Sequence, residues 1–345
     1  MAVKSNTQGF LIRVSCMTYN QSNYIIDALD GFMMQQTDFP FVCTIVDDAS
    51  TDGEQEIIKN YVQMHFDLQD SSVAYERDTD YGHVTFARHK TNEKCYFAVI
   101  FLKENHYSQK KSKAPYLTEL KNTKYIAICE GDDYWTDPFK LQKQVEYMEE
   151  HQDCCMTACA ANWEMRGEII KNDRISTVPR DLTTEEVILG GGGYLATCSL
   201  VYNNDKLNKN VPKWRKIANV GDYPLQIQGT LVGKLHYFPE IMCVYRYGTD
   251  GSWTNKYLKN NIELTQIHRR KEIIWMKELD RDTNKKYQKE IYRHLIVYYP
   301  SLYQNRMASI KEYWHCVRIV GKYYQYWIMI KTVMNRILNY HYDKI

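Results

Sequence analysis

The sequence has no run approaching the roughly 20 apolar residues that a membrane span needs, so no membrane-spanning helix is expected in it. None of its ten cysteines forms a Cys-x-x-Cys pair. Cys154, Cys155 and Cys159 cluster without a matching His/Cys set, which argues against a zinc site. Cys16, Cys43, Cys129, Cys198 and Cys243 lie inside apolar runs, as buried small hydrophobes of a reducing compartment do. Four successive glycines at 190–193 lead into Tyr194, not into the Gly-Lys-Ser/Thr of a phosphate-cradling loop. Ser199 lacks a Gly-x-Ser-x-Gly setting, which argues against hydrolase chemistry. Internal repeats and low-complexity linkers are missing, and the polar opening at residues 1–8 does not read as a secretory leader. The expectation is a cytoplasmic protein, peripheral at most to the inner face of the cell membrane.

What is present is a chain of 345 residues, enough to bury a large core without disulfides. Net charge is only +2, yet it is unevenly spread. Residues 255–345 carry 18 Lys+Arg against 8 Asp+Glu, a net +10. Residues 1–254 carry 26 against 34, a net −8. An acidic front that binds an anionic nucleotide needs a cation. The basic, aromatic tail fits either an anionic membrane surface or a helical packing module with solvated lysines and arginines. Nucleic acid fits the acidic front poorly.

Along the chain, strands are expected at residues 10–17, 41–46, 73–76 and 125–129. Helices follow the first two and the last. Ile25, Leu29, Phe32 and Met33 step at helical spacing after Ser22, a potential cap. Ile57, Ile58, Tyr61 and Val62 do the same after Gly53, and Leu141, Val145 and Met148 after Asp137-Pro138. Alternating strand and helix implies parallel pairing through right-handed crossovers, with ligands beyond the carboxyl ends of the strands. Residues 105–115 read as a polar loop beside that end. Residues 96–102 read as strand or helix turn, 195–202 as a strand, and 237–245 as the last sheet element, with Pro239 at a turn. From 255 onward the pattern is helical: 260–279, 285–299 ended by Pro300, and one stripe through Val317, Val320, Tyr324, Trp327, Ile330, Met334 and Ile337.

Three polar clusters end the apolar strands: Thr18-Tyr19-Asn20, Asp47-Asp48-Ala49-Ser50-Thr51-Asp52-Gly53 and Glu130-Gly131-Asp132-Asp133. Carboxylates at a strand end suit a Mg2+ or Mn2+ ion whose remaining ligands are phosphate oxygens. Asp132 and Glu130 meet that demand. The bland alternative is a turn that begins with paired acids.

These residues, with Tyr134-Trp135-Thr136-Asp137-Pro138 and Lys140-Leu141-Gln142-Lys143-Gln144, resemble the family-two glycosyltransferases of the GT-A fold, of the type that builds bacterial surface glycans. The resemblance covers roughly residues 10–255. It implies a Rossmann-like α/β fold, a mostly parallel sheet flanked by helices over 1–254, with a helical extension at 255–345. It also implies a UDP-sugar or related nucleotide-diphospho-sugar donor, with Mn2+ or Mg2+ as cofactor. Thr18, Tyr19, Asn20, Asp48, Arg88, Glu130, Gly131 and Asp132 match its nucleotide-sugar-binding positions. Asp132 matches its metal ligand, and Glu130 stands where the family often has Asp. Gly221-Asp222-Tyr223-Pro224 matches the segment of the catalytic base, so Asp222 is the candidate, with a helix cap as the alternative role. Tyr245-Arg246 and Gly251-Ser252-Trp253 resemble a loop that closes on the diphosphate, which gives Arg246 either the leaving group or the surface. The Gln-x-x-Arg-Trp element of processive synthases is absent, so the resemblance implies one sugar per encounter, passed to a glycan or lipid-linked acceptor.

Two other readings share the fold. One is a glycan- or membrane-binding protein that has lost catalysis, for which intact Asp48, Asp132 and Asp222 are unexpected. The other is a nucleotide-sugar pyrophosphorylase, which needs a basic glycine-rich loop. Residues 14–24 contain neither glycine nor a basic residue.

Overall fold

The computed structural model describes residues 9–111, 116, 120, 122–250, 252, 255 and 261–342, the last eight as backbone alone. In chain order the first half is β1 (Ile12–Thr18), α1 (Ile25–Met33), β2 (Phe41–Asp47), α2 (Glu54–His65), β3 (Phe66–Asp67), β4 (Tyr75–Asp78), β5 (Gly82–His89), β6 (Cys95–Leu102), β7 (Tyr125–Ile128), β8 (Tyr134–Trp135) and α3 (Lys140–Glu150). There follow β9 (Cys154–Met165), β10 (Glu168–Asp173), β11 (Arg180–Leu182), α4 (Thr184–Gly190), β12 (Val201–Asn203), α5 (Asn204–Asn208), α6 (Lys213–Ile217), α7 (Asp222–Val232) and β13 (Lys234–Arg246). The chain then turns helical: α8 (Ile262–Asp282), α9 (Gln288–Leu295), α10 (Tyr299–Gln304), α11 (Ile310–Val320) and α12 (Tyr323–Tyr342).

The strands form one sheet in the order β11-β13-β9-β12-β7-β1-β2-β6-β5-β3, with β10, β4 and β8 attached to β9, β5 and β13. Its centre is parallel: β1 pairs with β2 and β7, and β2 with β6. β9 and β13 are also parallel. The remaining pairings are antiparallel, so the sheet is mixed and not mostly parallel as expected. Hairpins make up part of the difference, and pairings between strands distant in the chain, such as β12 with β7 and β11 with β13, the rest. Arg166 and Gly167, both at positive φ, turn β9 into β10 through a two-residue loop of the kind whose twist matches paired strands.

The central strands are apolar throughout because helices cover them. Every residue of β2 and of β6 is buried, which settles 96–102 as strand. Ile25, Ala28, Leu29 and Phe32 bury one face of α1 at helical spacing. Ile58, Tyr61 and Val62 do so for α2, and Leu141, Val145 and Met148 for α3.

Several boundaries differ from the sequence reading. Ser22 does not cap α1, which begins at Ile25; its backbone N–H instead donates to Asp52 at 2.9 Å. Asp137 accepts from the Phe139 N–H at 2.8 Å, closing a turn just ahead of α3. Residues 195–202 contain a 3-10 turn at Thr197–Ser199, and only the short β12 pairs. Pro239 sits inside β13, where the register with β9 shifts between Phe238 and Ile241; the missing donor is accommodated by an irregularity in the ladder. Pro300 opens α10 instead of ending a helix, as its lack of an N–H permits in a first turn. The long apolar stripe is two helices, because Gly321 takes a left-handed conformation between them.

The chain divides into two compact units. The first, residues 1–182, 195–210 and 232–252, holds the sheet. The second, 183–194, 211–231 and 253–345, gathers α4, α6 and α7 with the C-terminal helices, so Asp222 belongs to it.

Candidate functional site

The site lies in the first unit, at the carboxyl ends of β2, β1 and β7. Parallel pairing of β1 with both neighbours sets Thr18 opposite Asp47 and Ser15 opposite Ile128. The three polar loops therefore emerge side by side. The Asp48 N–H donates to the Thr18 carbonyl at 3.0 Å, and the Gly131 N–H to the Met17 carbonyl at 3.1 Å. A Cβ on Gly131 would lie 2.3 Å from Thr18 Oγ1 and 2.6 Å from Gln21 Oε1. Only glycine lets the acidic loop lie this close to the first loop.

Glu54, at the start of α2, ties the first two loops together and was not legible as a site residue. Its buried carboxylate accepts from the Thr18 hydroxyl, from the Gln21 N–H at 2.9 Å and from the Ser50 hydroxyl at 2.8 Å. Burial raises its pKa, and these bonds pull it part of the way back. Asn20, at positive φ, adds a second tie: its N–H donates to Ser50 Oγ at 2.9 Å and its Oδ1 accepts from the Thr51 N–H at 2.8 Å. Tyr19, beside them, is 43% exposed.

Asp47 and Asp48 divide two tasks. Asp47 points into its own turn, accepting from the Ser50 N–H and the Gln55 amide. Asp48 Oδ1 accepts from the His106 N–H at 2.7 Å and Oδ2 from the Tyr107 N–H at 3.0 Å, while Asn105 Nδ2 donates to its carbonyl at 3.0 Å. The polar loop that follows β6 is thus fastened beside the second strand's end. Arg88 is not brought there. It pairs with Tyr96, which pairs with Val42, so it lies near the amino ends of the parallel strands, roughly 20 Å along the strand from Asp48.

In the third loop, Glu130 is exposed, whereas Asp132 is 6% and Asp133 1% exposed. Burial raises the pKa of Asp132, opposed by the Thr249 hydroxyl, which donates to Oδ2 at 2.7 Å, and by Arg246. Asp133 is held well above the usual carboxylate range by burial and then by the neighbouring Asp132 charge. Two crowded, buried carboxylates suit a divalent cation. Among the described residues no group of three or more His, Cys, Asp or Glu side chains is placed to hold an ion. An ion at Asp132 would therefore draw its other ligands from phosphates and water.

Arg246, at the end of β13, is matched already. Its Nε donates to Glu164 at 2.9 Å, Nη2 to Asp27, and Nη1 to the Asp132 carbonyl at 3.2 Å. The guanidinium lies over the rings of Tyr134 and Tyr24, 4.4 and 5.1 Å from their centroids. Its N–H donates to Asp133 Oδ1 at 2.8 Å. Burial opposes the charge, but Asp27 and Glu164 outweigh it and raise the pKa. Arg246 and Thr249 together pin the segment after β13 to the acidic loop. Gly251 and Trp253 of the expected closing loop lie outside the described residues.

Asp222 opens α7 in the second unit, followed by Tyr223, whose hydroxyl donates to the Ile188 carbonyl at 2.7 Å.

Residues 15–96 match the family described as Glycosyl transferase family 2. The chain is 30% identical over 246 residues to an uncharacterized protein of Mycobacterium tuberculosis, covering 70% of this chain and 60% of that protein. It is 25% identical over 179 residues to TuaG of Bacillus subtilis, assigned as a teichuronic acid biosynthesis glycosyltransferase, covering 52% and 57%. The chain thus spans about 60% of the length of the curated relatives it matches. Among solved structures, Staphylococcus aureus TarS 1–349 in complex with UDP-GlcNAc superposes with a TM-score of 0.51 at 14% identity, over 96% of this chain and 92% of that one. Mannosyltransferase PcManGT from Pyrobaculum calidifontis, in complex with GDP-Man and Mn2+, gives 0.50 at 13% identity, over 97% and 88%. At such identities these structures speak for the fold alone. The family match over residues 15–96, with the fold shared with these structures, supports a family-two glycosyltransferase domain of the GT-A fold.

Proposed function

We propose that the protein transfers a sugar from a nucleotide-diphospho-sugar, a UDP-sugar above all, to a glycan or lipid-linked acceptor in surface polysaccharide synthesis. The observation that carries this reading is the meeting of three strand-end loops at Gly131, with Asp48 on one side and the buried Asp132–Asp133 pair on the other. In the reading, the Asp48 side receives the base and Thr18, Tyr19 and Asn20 line the nucleotide. Asp132, with Glu130 beside it, holds Mn2+ or Mg2+ against the diphosphate. The ion, when bound, neutralises charge that grows on the leaving diphosphate. Asp222 deprotonates the acceptor hydroxyl, and one such base suffices for single displacement with inversion. The complexes of TarS with UDP-GlcNAc and of PcManGT with GDP-Man and Mn2+ support the donor class and the ion by analogy. Replacing Asp132 by Ala tests the site: nucleoside diphosphate affinity in Mn2+ falls together with transfer. Unchanged affinity in Mn2+ would remove Asp132 from the donor site.

A second reading concerns location. No helix among the described residues is long and apolar enough to cross a membrane. Yet Tyr323, Trp327, Ile330 and Met334 line one side of α12, each more than half exposed, beside Lys322 and Lys331. Aromatic and aliphatic side chains flanked by lysines suit the headgroup layer of an anionic membrane, which supports peripheral contact at the cytoplasmic face.

A further inference from the structure

The second unit contains a buried acid to which the reading above gives no role. Glu272, on α8, is 6% exposed. Its Oε1 lies 2.7 Å from His294 Nε2 and accepts from the Tyr298 hydroxyl at 3.2 Å, and His268 Nε2 stands 3.7 Å from Oε2. Burying a carboxylate costs several kcal/mol, and an apolar residue of similar size would often pack at least as well. Helix packing alone therefore gives no reason for the acid. Its two imidazoles suggest one, because between them they reach two loops.

His268 Nδ1 meets the Asn219 side-chain amide, three residues before Asp222. With the amide donating, Nδ1 accepts and the ring proton sits on Nε2, facing Glu272. His294 supports the other side. Its ring lies 5.6 Å from that of Tyr223, the residue after Asp222, and its Cε1 is 2.9 Å from where a Cβ on Gly191 would be. Gly191 is at positive φ, and the Tyr223 hydroxyl bonds to Ile188 at the end of the same turn. The segments 188–191 and 219–223 are thus held from beneath by one carboxylate through two imidazoles.

We infer that Glu272, acting through His268 and His294, is a positioning residue for Asp222, fixing the loop that carries it and the glycine turn beside it. The inference rests on the reading of Asp222 as the base. Each arm has its own signature in amide hydrogen exchange. Glu272→Gln should speed exchange in both 188–193 and 219–223. His268→Gln should loosen only 219–223, and His294→Gln mainly 188–193. Turnover, followed as nucleoside diphosphate release from a panel of UDP- and GDP-sugars, should fall roughly 10- to 100-fold in Glu272→Gln, the scale set by slight misplacement of a reacting group. UDP affinity in Mn2+ should stay constant. Exchange raised evenly across α8 and α9, or turnover unchanged despite loosened loops, would overturn the inference. Full turnover in Asp222→Asn would instead remove the base reading itself.

Discussion

Arg246 shows how far a residue's role depends on partners that sequence does not display. Its resemblance-based role was the leaving group, with a surface arginine as the alternative. It is neither exposed nor unmatched: Asp27 and Glu164 take its charge and two tyrosines take its faces. Removing one member of a buried ion-pair set leaves a stranded charge, at a cost of about 3–5 kcal/mol. Arg246→Ala should lose that much in urea unfolding. Arg246→Lys should recover less than half of it, because an ammonium lacks the planar fork that spans both carboxylates. A loss within about 0.5 kcal/mol, the range of neutral surface changes, would contradict the assignment. Asp48 and Asp132 stood out as candidates because each lies in a polar cluster just beyond an apolar strand, β2 and β7. Glu54 and Thr249 did not, since their partners lie 36 and 117 residues away. Arg88 shows the opposite failure: the family resemblance placed it at the site, but β5 runs antiparallel to β6 and carries it to the other end of the sheet.

At the scale of elements, periodicity located the central strands and α1 to α3 well, because burial on one or both faces writes a simple pattern. It missed the 12-residue β9 and found the last strand, β13, at 237–245, but took Pro239 for a turn where the ladder with β9 only shifts register. It also joined α11 and α12 across Gly321, since one left-handed glycine hardly changes the apolar spacing. α11 has a feature that titration can check. Glu312 closes a capping box with Ser309 and takes Arg270 of α8 at 2.7 Å. Although burial opposes its charge, these partners bring its pKa down from 4.5 to about 2. A depressed carboxylate stabilises the fold fully above pH 4.5 and loses that effect as pH falls toward 2. Solvent screening of the partly exposed pair limits the effect to about 1–2 kcal/mol. Glu312→Gln should therefore lower stability near pH 7, with the gap from wild type narrowing below pH 4.5. A gap independent of pH would contradict this.

For the molecule as a whole, the separation of charge is the feature that sequence gave most directly. The acidic part carries the sheet and its buried carboxylates, and the basic part is rich in helix. Trp327→Glu should abolish sedimentation with phosphatidylglycerol vesicles without changing the thermal midpoint, because Trp327 is 60% exposed. Undiminished vesicle binding would remove α12 as the contact. The central claim, a nucleotide-sugar site completed by a cation at Asp132, is tested most directly by calorimetric titration. The folded protein would be titrated with a panel of nucleoside diphosphates, with and without Mn2+. The account predicts that one nucleotide, UDP first, binds tightly and only when Mn2+ is present. Absence of binding to every nucleotide, in protein shown to be folded, would contradict it and favour a non-catalytic binding module on the same fold.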